Sequence, residues 1–192
     1  MKKKLLLVFG VVFLLSANLV LGASVYLYPA GGTSVDNGWS SYTTGASCWF
    51  NTCVDEDPAN TFDGIASKTN GAEVIIGFDG SGAVPAGSII DHVDGQYYLK
   101  EYDPVHTCMR PMISFPDESG SWDSYFGSSL WCSITPGFGW AGIQWATNPS
   151  TGNPWQISDL DSFGIGSRTE NQQRFTEAGV NISAMRVIVV YH

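Results

Sequence analysis

The side chains with the clearest potential for chemistry lie in one acidic stretch, Asp55-Glu56-Asp57-Pro58-Ala59-Asn60-Thr61-Phe62-Asp63-Gly64. Ca²⁺ prefers carboxylate and amide oxygens gathered in one loop. The spacing is not that of an EF-hand, because the oxygens do not fall at alternate positions before a distant glutamate. The stretch is therefore a candidate calcium site, and the alternative is a solvated acidic loop with Asx turns. No other cofactor is predicted, and the candidate ligands are Asp55, Asp57, Asn60 and Asp63.

Aromatic side chains form the second group, since the chain holds seven tryptophans and eight tyrosines. Three tryptophans, Trp39, Trp140 and Trp155, follow Gly or Pro in turn-like settings. Exposed rings at the rim of a β-sandwich suit stacking on sugar faces or burial at a subunit contact. The alternative is that each ring closes the end of the core, so the three are candidate binding aromatics.

Catalytic patterns are missing from the sequence. It contains neither H-E-x-x-H nor G-x-S-x-G, and its three histidines stand far apart, without triad or metal spacing. A pair of carboxylates for glycoside hydrolysis has no mark in sequence, because 18 acidic residues offer many pairs. We therefore expect a protein that is not an enzyme, and a small secreted glycoside hydrolase stays as an alternative.

Two further features suit an exported protein. Four cysteines, an even number, predict two disulfides rather than a zinc site, and the simplest pairing joins Cys48 to Cys53 and Cys108 to Cys132. Asn181-Ile182-Ser183 is a candidate N-glycosylation sequon.

The N-terminus has the pattern of a secretory leader. Lys2, Lys3 and Lys4 precede an apolar run, and small residues follow at positions 22 and 23. We expect residues 1–23 to be a signal peptide and residues 24–192 to be a single secreted domain, extracellular or at the cell surface. The mature chain would hold six basic residues against 18 acidic ones, a net charge of −12 with histidine neutral. Such a surface disfavours nucleic acid and anionic membranes as partners.

Short apolar runs separated by Gly, Ser, Thr, Asn and Asp predict an all-β protein. In residues 88–102 odd positions are mainly apolar and even positions mainly polar, which gives one core face and one wet face. Residues 185–191 are apolar at both parities, as in a central strand. The fold class is therefore a two-sheet antiparallel sandwich of the jelly-roll type, with strands predicted at 25–28, 46–50, 64–67, 73–78, 88–102, 109–115, 129–134, 142–146, 162–167 and 185–191.

Several turn-rich motifs resemble a group of extracellular, concanavalin-like jelly-roll modules found on surface and fibre-forming proteins. The motifs run from Trp145 to Trp155, then Asp159-Leu160 and residues 163–166, with residues 85–90, Asp55-Glu56 and the last strand beside them. The resemblance implies structural or adhesive duty and transfers no catalytic residue. The chain departs from the pattern in its four cysteines and in the absence of neighbouring modules.

The N-terminal strand suggests a mode of assembly. An apolar strand of Val25, Tyr26, Leu27 and Tyr28 precedes a segment with Pro29, Gly31 and Gly32, which we interpret as a hinge. A hinged strand completes a neighbour's sheet by strand addition, and head-to-tail repetition builds a filament. The first hypothesis is thus a self-assembling fibril or surface-layer subunit whose partner is itself, and the alternative is a glycan-binding or adhesive module.

Overall fold

The computed structural model describes residues 22–35, 39–43, 63–67, 69–101, 107–132, 139–171 and 180–192. Within these residues the chain forms twelve strands and one short 3-10 helix at Ile157–Leu160. No helix among them is both long enough and apolar enough to cross a membrane. The strands are β1 (Ala23–Leu27), β2 (Pro29–Val35), β3 (Trp39–Thr43), β4 (Asp63–Ser67), β5 (Glu73–Phe78), β6 (Ile90–Glu101), β7 (Thr107–Pro116), β8 (Trp122–Phe126), β9 (Trp131–Cys132), β10 (Gly139–Trp145), β11 (Phe163–Asn171) and β12 (Val180–Tyr191).

The strands form two antiparallel sheets, which confirms the predicted sandwich of the jelly-roll type. The first sheet has the order β10-β6-β12-β4-β3, with β1 also paired to β12. The second sheet has the order β2-β5-β11-β7-β8, with β9 also paired to β7. Nine of the ten predicted strands overlap an observed one, and the tenth, at 46–50, lies outside the described residues.

Strand β12 is the central strand of the first sheet. One edge pairs with β6 along almost its whole length, and the other edge pairs with β4 and then with β1. Met185, Val187 and Val189 are fully buried between the sheets. The alternation in β6 also follows the predicted pattern, because Val93, Tyr97 and Leu99 are fully buried. Ile89 breaks that pattern, since it precedes the strand and is 61% exposed.

One buried side chain joins the two sheets by a polar contact. The hydroxyl of Tyr97, on β6 of the first sheet, donates a hydrogen bond of 2.8 Å to the carbonyl of Gly166 on β11 of the second sheet. The same oxygen lies 3.3 Å from the carbonyl of Met112. Burial raises the pKa of this phenol well above its ordinary range, so it remains a donor at all physiological pH values.

The N-terminal strand is present, but the predicted hinge after it is wrong. Strand β1 is already paired within its own chain, with Val25 opposite Val189 and Leu27 opposite Val187. The Pro and Gly residues taken as a hinge belong to β2, which pairs with β5 in the second sheet. The register of β2 shifts between Pro29 and Thr33, so the glycines occupy an irregularity where the chain enters the second sheet.

One of the two predicted disulfides lies in the described residues. Cys108 and Cys132 face each other across β7 and β9 and form a disulfide with a Cα–Cα distance of 4.4 Å. The bridge fixes the short strand β9 to the second sheet, beside the pair Met109 and Trp131. Cys48 and Cys53 lie outside the described residues.

The inter-sheet hydrogen bond generates a stability prediction. Tyr97→Phe removes the donor and leaves the packing of the ring intact, so we expect a loss of about 1–2 kcal/mol in the free energy of unfolding. Urea unfolding followed by tryptophan fluorescence measures it. Tyr191→Phe, which removes a hydroxyl from a half-buried ring of β12, is the matched control, and equal stability of both variants would contradict the role of Tyr97.

The pairing of β1 generates a second prediction. Leu27 is 5% exposed and belongs to the core, so Leu27→Asp places an unpaired charge there and should cost about 3–5 kcal/mol. The volume-conserving Leu27→Met should cost less than about 1.5 kcal/mol. Thermal unfolding by circular dichroism compares the two. A normal melting temperature for Leu27→Asp would show that β1 is dispensable for the domain.

Candidate functional site

The three candidate binding tryptophans differ in their surroundings. Trp140, on β10, is 37% exposed on the outer face of the first sheet. Trp155 is 3% exposed, and its indole N–H donates a hydrogen bond of 2.8 Å to the carbonyl of Trp145. It is therefore part of the core, and its assignment as a binding aromatic is wrong. Trp39 begins β3, and its side chain lies outside the described residues.

The predicted calcium site falls almost entirely outside the described residues. Asp55, Asp57 and Asn60 lie there, and only the backbone of Asp63 is described, at the start of β4 opposite Thr43. Among the described residues, no group of three or more His, Cys, Asp or Glu side chains is arranged to hold a metal ion.

The predicted glycosylation of Asn181 conflicts with its position. Asn181 lies in β12 between Ala66 of β4 and Lys100 of β6, and it is 4% exposed. A glycan on this side-chain amide needs open solvent, which an interior strand does not provide. The sequon is therefore not a usable acceptor in the folded domain.

The outer face of the first sheet carries the site that the structure supports best. Side chains two apart on a strand share a face, and residues directly opposite on neighbouring strands do the same. Trp140 is opposite Tyr98, and Gln96 is opposite Arg186. Tyr26 of β1 is opposite Ile188, the next outward residue of β12. We call the set Tyr26, Gln96, Tyr98, Trp140 and Arg186 the aromatic platform.

Arg186 organises the aromatic platform. Its guanidinium carbon lies 4.1 Å from the ring centroid of Trp140 and 5.1 Å from that of Tyr26. Its Nε donates a hydrogen bond of 2.7 Å to the side-chain oxygen of Gln96. Trp140 also packs on Tyr98, with ring centroids 5.3 Å apart and planes tilted by 50°. A cation over an aromatic face attracts the ring quadrupole, so Arg186 holds both rings in place.

The platform is rigid and yet open to solvent. Tyr26 is 46% exposed, although its strand is paired along five residues of β12. Gly142 lies between Trp140 and Gln144 on β10, opposite Gln96. A glycine at this place leaves a notch in the sheet surface, and such a position permits close approach of a ligand.

A carboxylate borders the platform. Asp94 lies opposite Gln144 on one side and Ile188 on the other, two residues from Gln96. Its Oδ1 is buried and accepts no hydrogen bond from the described residues, while its Oδ2 lies 3.7 Å from His92 Nε2. Burial raises the pKa of Asp94, and the nearby His92 opposes that rise. The side chain as a whole is 25% exposed, so the carboxylate lies at the border of the platform although its Oδ1 is buried.

Sequence reasoning missed most of this site. It found Trp140, but it treated Tyr26 as an assembly residue and did not single out Gln96, Tyr98 or Arg186. One signal was present, since Arg186 is the one charged residue of β12 and stands within its most apolar part, residues 184–191.

Comparison with known proteins gives similarity in structure only. No protein-family model matches the chain, and no curated protein matches its sequence. The CBM22-1 xylan-binding domain of Paenibacillus barcinonensis Xyn10C is similar, with 8% identity, a TM-score of 0.42, and coverage of 87% of this chain and 92% of that domain. The CBM32 of AlyQ, in complex with 4,5-unsaturated mannuronic acid, has 11% identity, a TM-score of 0.38, and coverage of 85% and 96%. A further xylan-binding domain of CBM 22 has 12% identity, a TM-score of 0.33, and coverage of 86% and 93%.

The hypothesis of a fibril or surface-layer subunit is wrong. The strand that was expected to enter a neighbouring molecule is taken up in its own sheet, where Val25 is opposite Val189 and Leu27 is opposite Val187. The exposed rings of Tyr26 and Trp140 therefore need another explanation than subunit exchange.

The surroundings of Asp94 generate a prediction on pH. Because burial raises its folded-state pKa, ionisation of Asp94 destabilises the folded protein. The cost is absent below the ordinary aspartate pKa, grows as the pH rises above that value, and is complete once the pH exceeds the raised pKa. We therefore expect Asp94→Asn to raise the melting temperature at pH 7 and to leave it unchanged near pH 3.

Differential scanning calorimetry between pH 3 and pH 7 measures this difference. Asp123→Asn, on an exposed residue of β8, is the control. A lower melting temperature for Asp94→Asn at pH 7 would contradict the desolvation of Asp94.

Proposed function

We propose that the protein is a secreted glycan-binding module that binds without turnover. The observation that carries the proposal is the aromatic platform: two exposed rings, Tyr26 and Trp140, flank one guanidinium on the flat outer face of a sheet. Exposed aromatic clusters on a soluble domain mark binding surfaces more often than chance packing does.

The chemistry of the platform matches that of a sugar. One face of a pyranose ring is lined by C–H groups, and it stacks on the free side of an aromatic ring. Its hydroxyls are both donors and acceptors. Arg186 offers N–H donors at its two terminal nitrogens. Its Nε donates to Gln96, and the described residues supply no acceptor for the other two nitrogens. Gln144 offers an exposed amide that both donates and accepts, and the carboxylate of Asp94 is 25% exposed at the border of the platform.

Export fits this function. Residues 1–23 are proposed as a signal peptide, with residues 24–192 as the mature domain. This boundary falls at the first residue of β1, so cleavage there leaves four of the five pairs between β1 and β12 intact. The Cys108–Cys132 bridge is of the kind that persists in an oxidising compartment. The acidic surface of the mature domain supports a neutral ligand over a nucleic acid.

The test is a glycan array probed with the mature, oxidised protein and with Trp140→Ala. Losing one stacking ring removes about 1–2 kcal/mol of binding, which lowers affinity roughly ten-fold. We expect the wild-type protein to bind a defined set of glycans and Trp140→Ala to lose them. Product analysis of the same glycans should show no cleavage.

Two variants control for the fold and for the ring. Trp140→Phe keeps a ring at the same place and should retain most of the binding. Trp122→Ala removes a half-buried ring from the outer face of the second sheet, where Trp122 lies against Gly164, and should leave binding unchanged. Equal binding by Trp140→Ala and wild type would remove the platform as the site.

A further inference from the structure

A concave surface, separate from the aromatic platform, lies at the open edge of the first sheet. Among the described residues, strand β10 pairs only with β6, so its other edge borders a cleft of about 340 Å³. The cleft is closed on its far side by the end of β8 and the segment that follows, with Phe126, Gly127, Ser128 and Ser129. Its volume is at the lower end of the range for small-molecule sites, about 300–1,000 Å³.

The walls of this edge cleft combine rings with neutral polar groups. Phe126, which is 39% exposed, and Trp131 both line the cleft. Ser128, Ser129 and Gln144 supply hydroxyl and amide groups. Trp131 is held from behind, because its ring meets Tyr97 edge-on at 5.5 Å and its neighbour Cys132 is fixed by the disulfide. The cleft is therefore preformed rather than opened by a ligand.

The charge of the walls defines the class of ligand. None of the described residues that line the cleft is ionisable. The guanidinium carbon of Arg168 lies 5.7 Å from the Phe126 ring centroid, but Arg168 is 3.9 Å from Glu73 and is not a lining residue. A phosphate, carboxylate or ammonium group would lose its hydration here without gaining an ion pair. The occupant is thus uncharged, with an apolar face for the rings and hydroxyls for the serines.

The edge cleft and the aromatic platform meet on strand β10. Gly142 and Gln144 line the cleft, and on the sheet face the same two residues lie beside Gln96 and Asp94. Trp140, two residues before Gly142, belongs to the platform. A chain that lies on the platform and crosses the notch at Gly142 therefore arrives at the mouth of the cleft.

We infer that the edge cleft is a second sugar subsite, which takes one uncharged sugar unit of a glycan chain whose neighbouring units lie on the aromatic platform. The inference rests on the proposed glycan binding and adds to it that the ligand is a neutral oligosaccharide of several units. Affinity then rises with chain length until both surfaces are occupied, and an acidic sugar unit is rejected at the cleft.

Variants that fill or strip the cleft test the inference. Ser129→Trp places a ring in the cleft from an exposed position, and Phe126→Ala removes one wall from a partly exposed position. Ser158→Trp makes the same change on an exposed serine that does not line the cleft and serves as the matched control. The probes are length series of neutral xylo-, cello-, manno- and galacto-oligosaccharides on an array, beside uronic-acid series of the same lengths.

We expect the wild-type protein and Ser158→Trp to bind long neutral chains at least about ten-fold more tightly than short ones. Ser129→Trp and Phe126→Ala should keep the affinity for short chains and lose the gain with length. If both cleft variants keep the full gain in affinity with chain length while Trp140→Ala does not bind, the cleft is not a subsite and the platform is still the binding site. Failure of the wild-type protein to bind any series would instead overturn glycan binding itself.

Discussion

The whole domain depends on strand β12 being paired along both edges and covered on its inner face. A strand in that position must satisfy its backbone with neighbours and its side chains with apolar contacts. The pairing of β6 on one edge, and of β4 and β1 on the other, meets the first demand. Met185, Val187 and Val189 meet the second. Once β12 is paired in this way, its register fixes where each side chain on its outer face leaves the sheet.

The fixed position of β12 determines where Arg186, the centre of the aromatic platform, lies. Arg186 projects outward from the most firmly held strand, so its guanidinium has little freedom of place. Trp140 from β10 and Tyr26 from β1 come to it from opposite sides, and Gln96 from β6 accepts its Nε–H. Four strands thus converge on one cation. A surface built this way keeps its shape without a ligand, and preorganisation of that kind reduces the entropy cost of binding.

The second sheet contributes through one connected series of contacts. The Cys108–Cys132 bridge fixes β9, Trp131 of β9 meets the ring of Tyr97, and the hydroxyl of Tyr97 donates to Gly166. The series couples the outer strands of one sheet to the centre of the other. It also explains why Trp131 has a defined place at the wall of the edge cleft.

The sequence predicted the architecture better than the site. Alternation in β6 and the doubly apolar pattern of β12 were enough to place both strands, because burial alone decides such patterns. Strand β2 was taken for a hinge, since Pro29, Gly31 and Gly32 carry the local signals of a turn. Strand β8 was missed because its five residues, Trp122–Phe126, mix polar and aromatic types without alternation.

The platform lay beyond prediction for a different reason. Its members come from four strands that are distant in sequence, and register rather than pattern brings them together. No local sequence pattern shows that Tyr26 and Trp140 flank the same guanidinium. Likewise, no local sequence pattern distinguishes the exposed Trp140 from the buried Trp155. Asn181 shows the converse, because a clear motif lies on a strand where it has no access.

The most direct test of the central claim is a two-dimensional ¹H–¹⁵N NMR titration of the mature protein with the glycan that binds best on the array. The account predicts that the indole N–H of Trp140, the Nε–H of Arg186 and the side-chain amide of Gln96 shift together and saturate at one concentration. Shifts confined to the outer face of the second sheet, around Trp122, would contradict it.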